Sequence, residues 1–128
     1  MSTKEQMAEA DSQSVEDMGK LVVEAIREKK GHQILSIDLS QIEHAICDTF
    51  IICHGESTTQ VGAIVDSIEK KLKTDAGIRP HHVEGVQNSQ WVLLDYFDVL
   101  VHVFLEDFRS FYKLEELWAD GKVKALDV

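Results

Sequence analysis

The sequence predicts an α/β (α+β) domain, with a mixed sheet of about five strands flanked by helices. First, short apolar runs alternate along the chain with segments of helical periodicity. Second, a strand–helix–strand passage over residues 49–84 is typical of a right-handed crossover. Third, a tight reversal at Phe97 joins two apolar runs, and a connection this short joins only antiparallel strands. The length of 128 residues suffices for a single domain.

The first predicted element is a helix whose apolar side chains recur on one face. These side chains are Met18, Leu21, Val22, Ala25 and Ile26. Lys29 and Lys30, followed by Gly31, are typical of a helix end. The polar residues before the helix predict a flexible acidic leader over 1–13. The domain is therefore expected to span 14–119, with a polar tail over 120–128.

The next predicted elements are two strands and a helix. Alternating apolar residues predict a strand over 33–39, and a short apolar run predicts a buried strand over 49–54. Ser57 and Gln60 form a capping box, in which each side chain is expected to pair with the backbone N–H of the other residue. The helix that follows is expected to end at Gly77.

Three strands and a short helix complete the predicted domain. The strands are expected over 79–84, 90–96 and 98–105, with Pro80 at the start of the first, where its missing N–H is tolerated. The last two strands form the hairpin that reverses at Phe97. A short amphipathic stretch over 108–118 is expected to cover an edge or a face of the sheet.

Composition and charge exclude several classes of protein. With 44% hydrophobic residues and one proline, most of the chain is neither low-complexity nor disordered, and no apolar run reaches the ~20 residues that span a bilayer. The net charge of −10 disfavours binding to nucleic-acid phosphates. It either attracts a basic protein partner or only keeps the protein soluble.

The cysteines and the N-terminal residues favour a cytoplasmic location. Cys47 and Cys53 are too far apart for a disulfide if both are extended, which indicates a reducing compartment. The polar leader has no features of a signal or transit peptide.

The candidate catalytic and metal-binding groups each fail a geometric requirement. His82 and Glu84 share a strand face, but two ligands are fewer than a zinc site takes from protein. Cys53 and His54 are adjacent in a strand and point to opposite faces, so they form no nucleophile–base pair. His102 lies in mid-strand and is expected to be a hydrogen-bonded core histidine.

The turn at Gly55 is the place where a nucleotide phosphate would bind, because it precedes a helix N-terminus. A lone glycine there is a weak signal, and the capping box already accounts for Ser57. Nucleotidyl transfer also needs paired carboxylates for magnesium, whereas Asp95 and Asp98 flank a turn instead of sharing a face.

The segment over 91–96 is apolar on both faces. Alternation places Trp91, Leu93 and Asp95 on one face and Val92, Leu94 and Tyr96 on the other. An uncovered tryptophan beside a carboxylate is typical of a protein-binding hot spot. The alternative is that both faces are core and that Asp95 caps the turn. The pattern alone does not separate the two.

Five stretches in a fixed order give the chain its resemblance to a known family. They are DTFII at 48–52 with Gly55 and Ser57, HVEG at 82–85, WVLLDY at 91–96 with Asp98, VHVF at 101–104 and RSFYKLEELW at 109–118. Over residues 21–118 the sequence resembles the ribosomal silencing factor family, also called the Iojap-like family. The resemblance implies a fold related to nucleotidyltransferases but without their catalytic carboxylates, and hence no enzymatic activity, cofactor or metal ion.

The resemblance also implies a partner and a binding surface. The partner is large-subunit ribosomal protein number fourteen, on the face that meets the small subunit. Its occupation keeps the small subunit from joining and represses translation under starvation. Family members also self-associate, which implies a homodimer. The implied surface centres on Trp91, Leu93, Asp95 and Tyr96, with His82, Glu84, Asp98, Arg109 and Tyr112 as neighbours.

The sequence departs from the family pattern at two places. Phe97 stands where many members have glycine, and Cys53-His54 replaces a pair of small residues. Phe97 is expected either to strain the hairpin turn or to add apolar contact area. The alternative function is a nucleotide-binding or nucleotidyltransferase-like enzyme on the related fold, which would bind magnesium and a nucleotide near Gly55 and Ser57.

Overall fold

The structure, a computed structural model, describes residues 3–42, 47–112 and 122–125. The elements are α1 (Thr3–Glu28), β1 (His32–Asp38), β2 (Thr49–Gly55), α2 (Thr58–Ala76), β3 (His82–Glu84), β4 (Trp91–Asp95), β5 (Val99–Leu105), α3 (Glu106–Tyr112) and β6 (Lys122–Ala125). The strands form one sheet in the order β3-β4-β5-β2-β1-β6. Only β2 and β5 run parallel, and the other neighbouring pairs are antiparallel. The predicted α+β fold with a mixed sheet is therefore confirmed.

Each face of the sheet carries its own apolar core. Alternate residues along a strand point to opposite faces, so β4 sends Val92 and Leu94 to one face and Trp91 and Leu93 to the other. The first face is covered by α1 and α2 and includes Val22, Ile26, Val61, Ile64, Ile68, Leu72, Val101 and Val103. The second face includes Ile37, Leu39, Phe50, Ile52, Leu100 and Phe104, with Phe108 of α3 packed against them. Neither long helix among the described residues has a stretch apolar enough to cross a bilayer.

The cap of α2 follows the prediction in one half and departs from it in the other. The Ser57 side chain accepts from the Gln60 backbone N–H at 3.1 Å, as predicted. The Gln60 side chain, however, accepts from the N–H of Glu56 at 2.7 Å, not from that of Ser57. Its amide nitrogen donates to the carbonyls of Lys29 and Lys30, both at 3.1 Å. Gln60 therefore also ties the start of α2 to the end of α1.

Several boundaries differ from the predicted ones. The structure starts α1 at Thr3, so residues 3–13 of the predicted leader are helical, and the domain boundary at residue 14 stays a prediction. Strand β3 begins at His82 and not at residue 79, because Pro80 has no N–H to donate to the ladder. Strand β6 lies in the predicted polar tail and adds a sixth strand beside β1. The C-terminal part of the predicted 108–118 helix lies outside the described residues.

The crossover that leaves β2 through α2 leads to β3, which is not adjacent to β2 in the sheet. Strand β3 lies at the edge of the sheet, and β4 and β5 separate it from β2. The hairpin of β4 and β5 thus fills the space between the two ends of the crossover. This arrangement leaves β4 one strand from the edge, with its Trp91 side on the face that α1 and α2 do not cover.

Candidate partner-binding site

Five of the predicted contact residues share one face of the sheet. The register of β3 and β4 pairs His82 with Asp95 and Glu84 with Leu93, and residues paired directly across two strands point to the same side. Trp91 lies two residues before Leu93 and so shares this side. The side chains of His82 and Glu84 are exposed, and those of the other three are half-buried. We call these five residues the β4 surface.

Trp91 is held in place by two contacts with β5. Its ring stacks on Phe104, with centroids 5.0 Å apart and an interplanar angle of 26°. Its indole N–H donates to Nδ1 of His102 at 3.1 Å. A half-exposed ring that is already fixed loses little side-chain entropy when a partner covers it. The predicted anchor, Trp91, is therefore a side chain that is already ordered before any partner binds.

His102 supports this anchor from within the core, as a hydrogen-bonded core histidine, which confirms the prediction. The residue is 5% exposed, and burial lowers its pKa to about 4. Because Nδ1 accepts from Trp91, the proton of the neutral ring lies on Nε2. That atom has no hydrogen-bond partner among the described residues. The ring of Phe50 meets the imidazole edge-on, at a centroid distance of 4.8 Å.

Asp95 belongs to the β4 surface and also caps the hairpin turn. Its Oδ1 accepts from the N–H of Phe97 at 2.8 Å, which confirms the turn-capping interpretation, while its role in partner binding stays a prediction. The exposed Asp98 follows in the turn, and its carbonyl accepts from the N–H groups of Asp48 and Thr49 at 3.0 and 3.1 Å. Asp95 ends β4 and Asp98 directly precedes β5, so the two residues flank the turn as predicted.

Two of the remaining predicted contact residues, Tyr96 and Arg109, do not join this surface. Tyr96 is 3% exposed and lies in the core under α1 and α2, where burial raises the pKa of its hydroxyl. This placement corrects its assignment to the centre of the surface, because the strand alternation turns its side chain to the opposite face. Tyr112 is the last residue of α3, and its side chain lies outside the described part of the chain.

Arg109 is an internal tether and not a surface residue, which corrects the second assignment. It is 5% exposed, and its Nη1 donates to the carbonyl of Gln33 at 2.7 Å and to Nδ1 of His54 at 3.0 Å. Gln33 has a positive φ of 47° in an irregular part of β1. Burial and the nearby guanidinium lower the pKa of His54. The arginine thus fastens α3 to β1 and β2.

Gly85 supports Trp91 through the backbone. It has a φ of +87°, and a Cβ at this position would overlap the carbonyl oxygen of Trp91. The close approach is possible only for glycine, and it sets where β4 begins relative to β3. The close approach of the two backbones therefore explains why the last residue of the HVEG motif is a glycine.

Gly85→Ala is expected to lower the free energy of unfolding by about 2 kcal/mol or more. Alanine is unfavourable in the left-handed conformation, and its Cβ would also overlap the Trp91 carbonyl oxygen, so the two costs add. Gly77→Ala is the matched control. Gly77 also has a positive φ, of 66°, but its Cβ would meet nothing within 4 Å, so the loss there is about 1 kcal/mol. Urea unfolding of both variants measures the difference. Equal losses would show that the contact with Trp91 does not constrain the fold.

The residues considered for catalysis have other partners or unsuitable environments. Burial raises the pKa of the Cys47 and Cys53 thiols to about 12, which disfavours the reactive thiolate. Cys53 lies in the core under the helices, while His54 faces Arg109 on the other side. His82 and Glu84 bond to each other at 2.8 Å. Within the described residues, no group of three potential metal ligands comes together.

The charge of the segment that contains the β4 surface is a further sequence signal for the site. Residues 81–108 contain five carboxylates, at Glu84, Asp95, Asp98, Glu106 and Asp107, and neither lysine nor arginine. Two of these carboxylates belong to the β4 surface, and the other three are exposed. A half-buried aromatic ring on a segment whose carboxylates are not balanced by lysine or arginine would suit a basic protein surface.

Comparison with known sequences gives a consistent set of relatives. Residues 12–128 match the family model described as ribosomal silencing factor during starvation. The chain is 40% identical over 114 residues to the ribosomal silencing factor of Halalkalibacterium halodurans, covering 89% of this chain and 96% of that protein. It is 42% identical over 108 residues to that of Bacillus subtilis, covering 84% and 90%.

A more distant relative and a solved structure extend the comparison. A Mus musculus protein named mitochondrial assembly of ribosomal large subunit protein 1 is 27% identical over 103 residues, covering 77% of this chain and 43% of that protein. A crystal structure of a Chromobacterium violaceum protein is 34% identical, with a TM-score of 0.77, and covers 89% of this chain and 93% of that one. The likeness therefore holds for sequence and for fold.

Proposed function

The chain belongs to the ribosomal silencing factor family, and from that premise we propose that it binds the large ribosomal subunit through large-subunit ribosomal protein number fourteen. Bound there, it blocks the approach of the small subunit and represses translation during starvation. The observation that carries the proposal is the fixed, half-exposed ring of Trp91, on the sheet face that also carries the carboxylates of Glu84 and Asp95. We also propose that the protein acts in the cytoplasm and self-associates as a homodimer.

The mechanism is steric and needs no reaction step. A specific complex of ordinary size buries about 800 Å² on each partner, and the β4 surface can supply the centre of such a footprint. Trp91 enters a shallow pocket of the partner and loses its remaining contact with water. Leu93 extends the apolar contact, and the surrounding carboxylates pair with basic groups at its rim. A small subunit cannot occupy the same face at the same time.

The acidic charge supports this choice of partner over ribosomal RNA. Ribosomal RNA presents a dense array of phosphates, and a chain with a net charge of −10 is repelled by them at low salt. A basic ribosomal protein is then the part of the large subunit that attracts the carboxylates of residues 81–108. The same charge that guides the protein to its partner thus keeps it off the RNA.

Co-sedimentation with separated subunits tests the proposal. We expect the protein to pellet with isolated large subunits and to stay in the supernatant with small subunits. Acid-to-lysine changes on α2, such as Asp66→Lys, are expected to increase RNA binding without moving the site. Equal binding of the wild type to both subunits, or to neither, would contradict the proposal.

The enzyme alternative makes a different prediction. A nucleotide site near Gly55 and Ser57 would raise the melting temperature in the presence of ATP, GTP or CTP with magnesium, because a bound ligand stabilises the folded state by mass action. We expect no such rise. The cap of α2 already engages the amides of Glu56 and Gln60 with side chains of this chain, and the Glu56 carboxylate would repel a phosphate.

A further inference from the structure

Phe97 combines two features that are each unfavourable for a phenylalanine. It occupies the hairpin turn with a φ of 69°, in the left-handed region that favours glycine. Its side chain is 64% exposed, although it is large and apolar. Among the described residues, only Val86 is another large hydrophobic residue with a comparable exposure. The fold itself gives no reason to keep an aromatic ring at this position.

The turn is specified by the backbone and does not need the ring. The N–H of Phe97 donates to the Asp95 carboxylate at 2.8 Å, and the N–H of Tyr96 donates to the carbonyl of Val99 at 2.9 Å. Glycine at position 97 would make the same backbone bond and adopt the positive φ without strain. The ring contacts His81, with centroids 4.2 Å apart and an interplanar angle of 34°. A strained backbone at an exposed aromatic residue that the turn does not require motivates a functional hypothesis.

Phe97 is joined to the β4 surface through Asp95, whose carboxylate accepts from the Phe97 N–H. The N–H of His81 donates to the carbonyl of Asp95 at 2.7 Å, next to the His82–Asp95 pair. The ring contact between His81 and Phe97 therefore lies at the turn end of the β3–β4 ribbon, beside Asp95. The exposed carboxylate of Asp98 is the next side chain in the turn. An exposed aromatic ring beside carboxylates can pack against the aliphatic part of an arginine or lysine side chain and attract its positive charge.

We propose that Phe97 is a second anchor of the partner-binding site, and that it takes an arginine or lysine side chain of the basic ribosomal protein which Trp91 engages. This inference rests on the proposed function and adds a contact to it. Trp91 and Phe97 stand at opposite ends of β4, so the two anchors fix the direction in which the partner lies along the strand. The strain in the turn is the consequence of placing an aromatic ring there.

The test compares Phe97→Gly with the wild type in two measurements. Binding to isolated large subunits is expected to weaken about 3-fold to 10-fold, the range for one exposed cation–π and apolar contact. The melting temperature is expected to stay the same or to rise, because the strain is removed. Lys73→Ala is the control, since it changes an exposed residue of α2 on the other side of the sheet. It is expected to leave affinity unchanged.

The outcomes separate the two proposals. If the wild type binds the large subunit and Phe97→Gly binds equally well, the second anchor is wrong while the proposed function stands. A lowered melting temperature of Phe97→Gly would mean that the ring serves the fold, which also overturns the inference. If the wild type does not bind the large subunit at all, the proposed function fails and the anchor fails with it.

Discussion

Replacing Trp91 with alanine is expected to weaken binding to the large ribosomal subunit by about 30-fold or more, which corresponds to ~2 kcal/mol. The indole contributes the largest apolar area of the β4 surface, and its stacking on Phe104 and its bond to His102 hold it ready for a partner. Alanine removes the area and leaves a depression above Phe104. Titration of labelled protein with purified large subunits measures the loss.

Two further variants show which property of Trp91 matters. Trp91→Phe keeps an aromatic ring above Phe104 but removes the N–H that His102 accepts, so an intermediate affinity is expected. Lys73→Ala changes an exposed residue of α2, on the other side of the sheet, and is expected to bind like the wild type. Circular dichroism and thermal unfolding verify that each variant is folded. Wild-type affinity in a folded Trp91→Ala variant would place the binding site elsewhere.

The largest expected effect of pH on stability comes from His102. Its pKa is about 4 in the folded protein, from an ordinary value of 6.5, because burial disfavours the charged ring. The unfolded chain therefore binds a proton at a higher pH than the folded chain does. The contribution of neutral His102 is fully present above pH 6.5 and is lost as pH falls towards 4, by about 3 kcal/mol in all. The lowered pKa of His54 acts in the same direction.

Urea unfolding between pH 7 and pH 4.5 isolates this term when variants lacking the imidazole are compared with the wild type. His102→Phe and His102→Gln both remove the titrating group, and His102→Gln keeps an acceptor for Trp91. Both are expected to be less stable than the wild type at pH 7 and to lose less stability on acidification. Parallel curves for the three proteins would refute the assignment, because carboxylates and His54 titrate in all of them.

The strand alternation predicted more of the site than the resemblance did. Alternation alone placed Trp91, Leu93 and Asp95 on one face and Tyr96 on the other, and the structure confirms this division. The resemblance grouped Tyr96 with the surface residues because motif residues are contiguous in sequence. A strand, however, divides a contiguous motif between two faces. In WVLLDY one half forms the surface and the other half holds it against the helices.

The features that the sequence did not predict depend on contacts between distant parts of the chain. Arg109 lies in a helix that begins with two acidic residues, so the sequence gives no sign that it is buried. Its guanidinium donates to the carbonyl of Gln33, which lies in the irregular start of β1. Strand β6 has alternating lysines, and its place beside β1 follows from the free edge of the sheet. The Gln60 side chain accepts from the N–H of Glu56 and not from that of Ser57, and its amide nitrogen also donates to a carbonyl at the end of α1. Local patterns contain none of this information.

Sedimentation of mixed ribosomal subunits in a density gradient shows whether the protein blocks subunit joining through Trp91. Purified large and small subunits are mixed under conditions that favour joining, with the wild type, with Trp91→Ala or without added protein. We expect the wild type to reduce the joined peak and to travel with the large subunit, and Trp91→Ala to do neither. A joined peak of full size in the presence of saturating wild-type protein would refute the steric block.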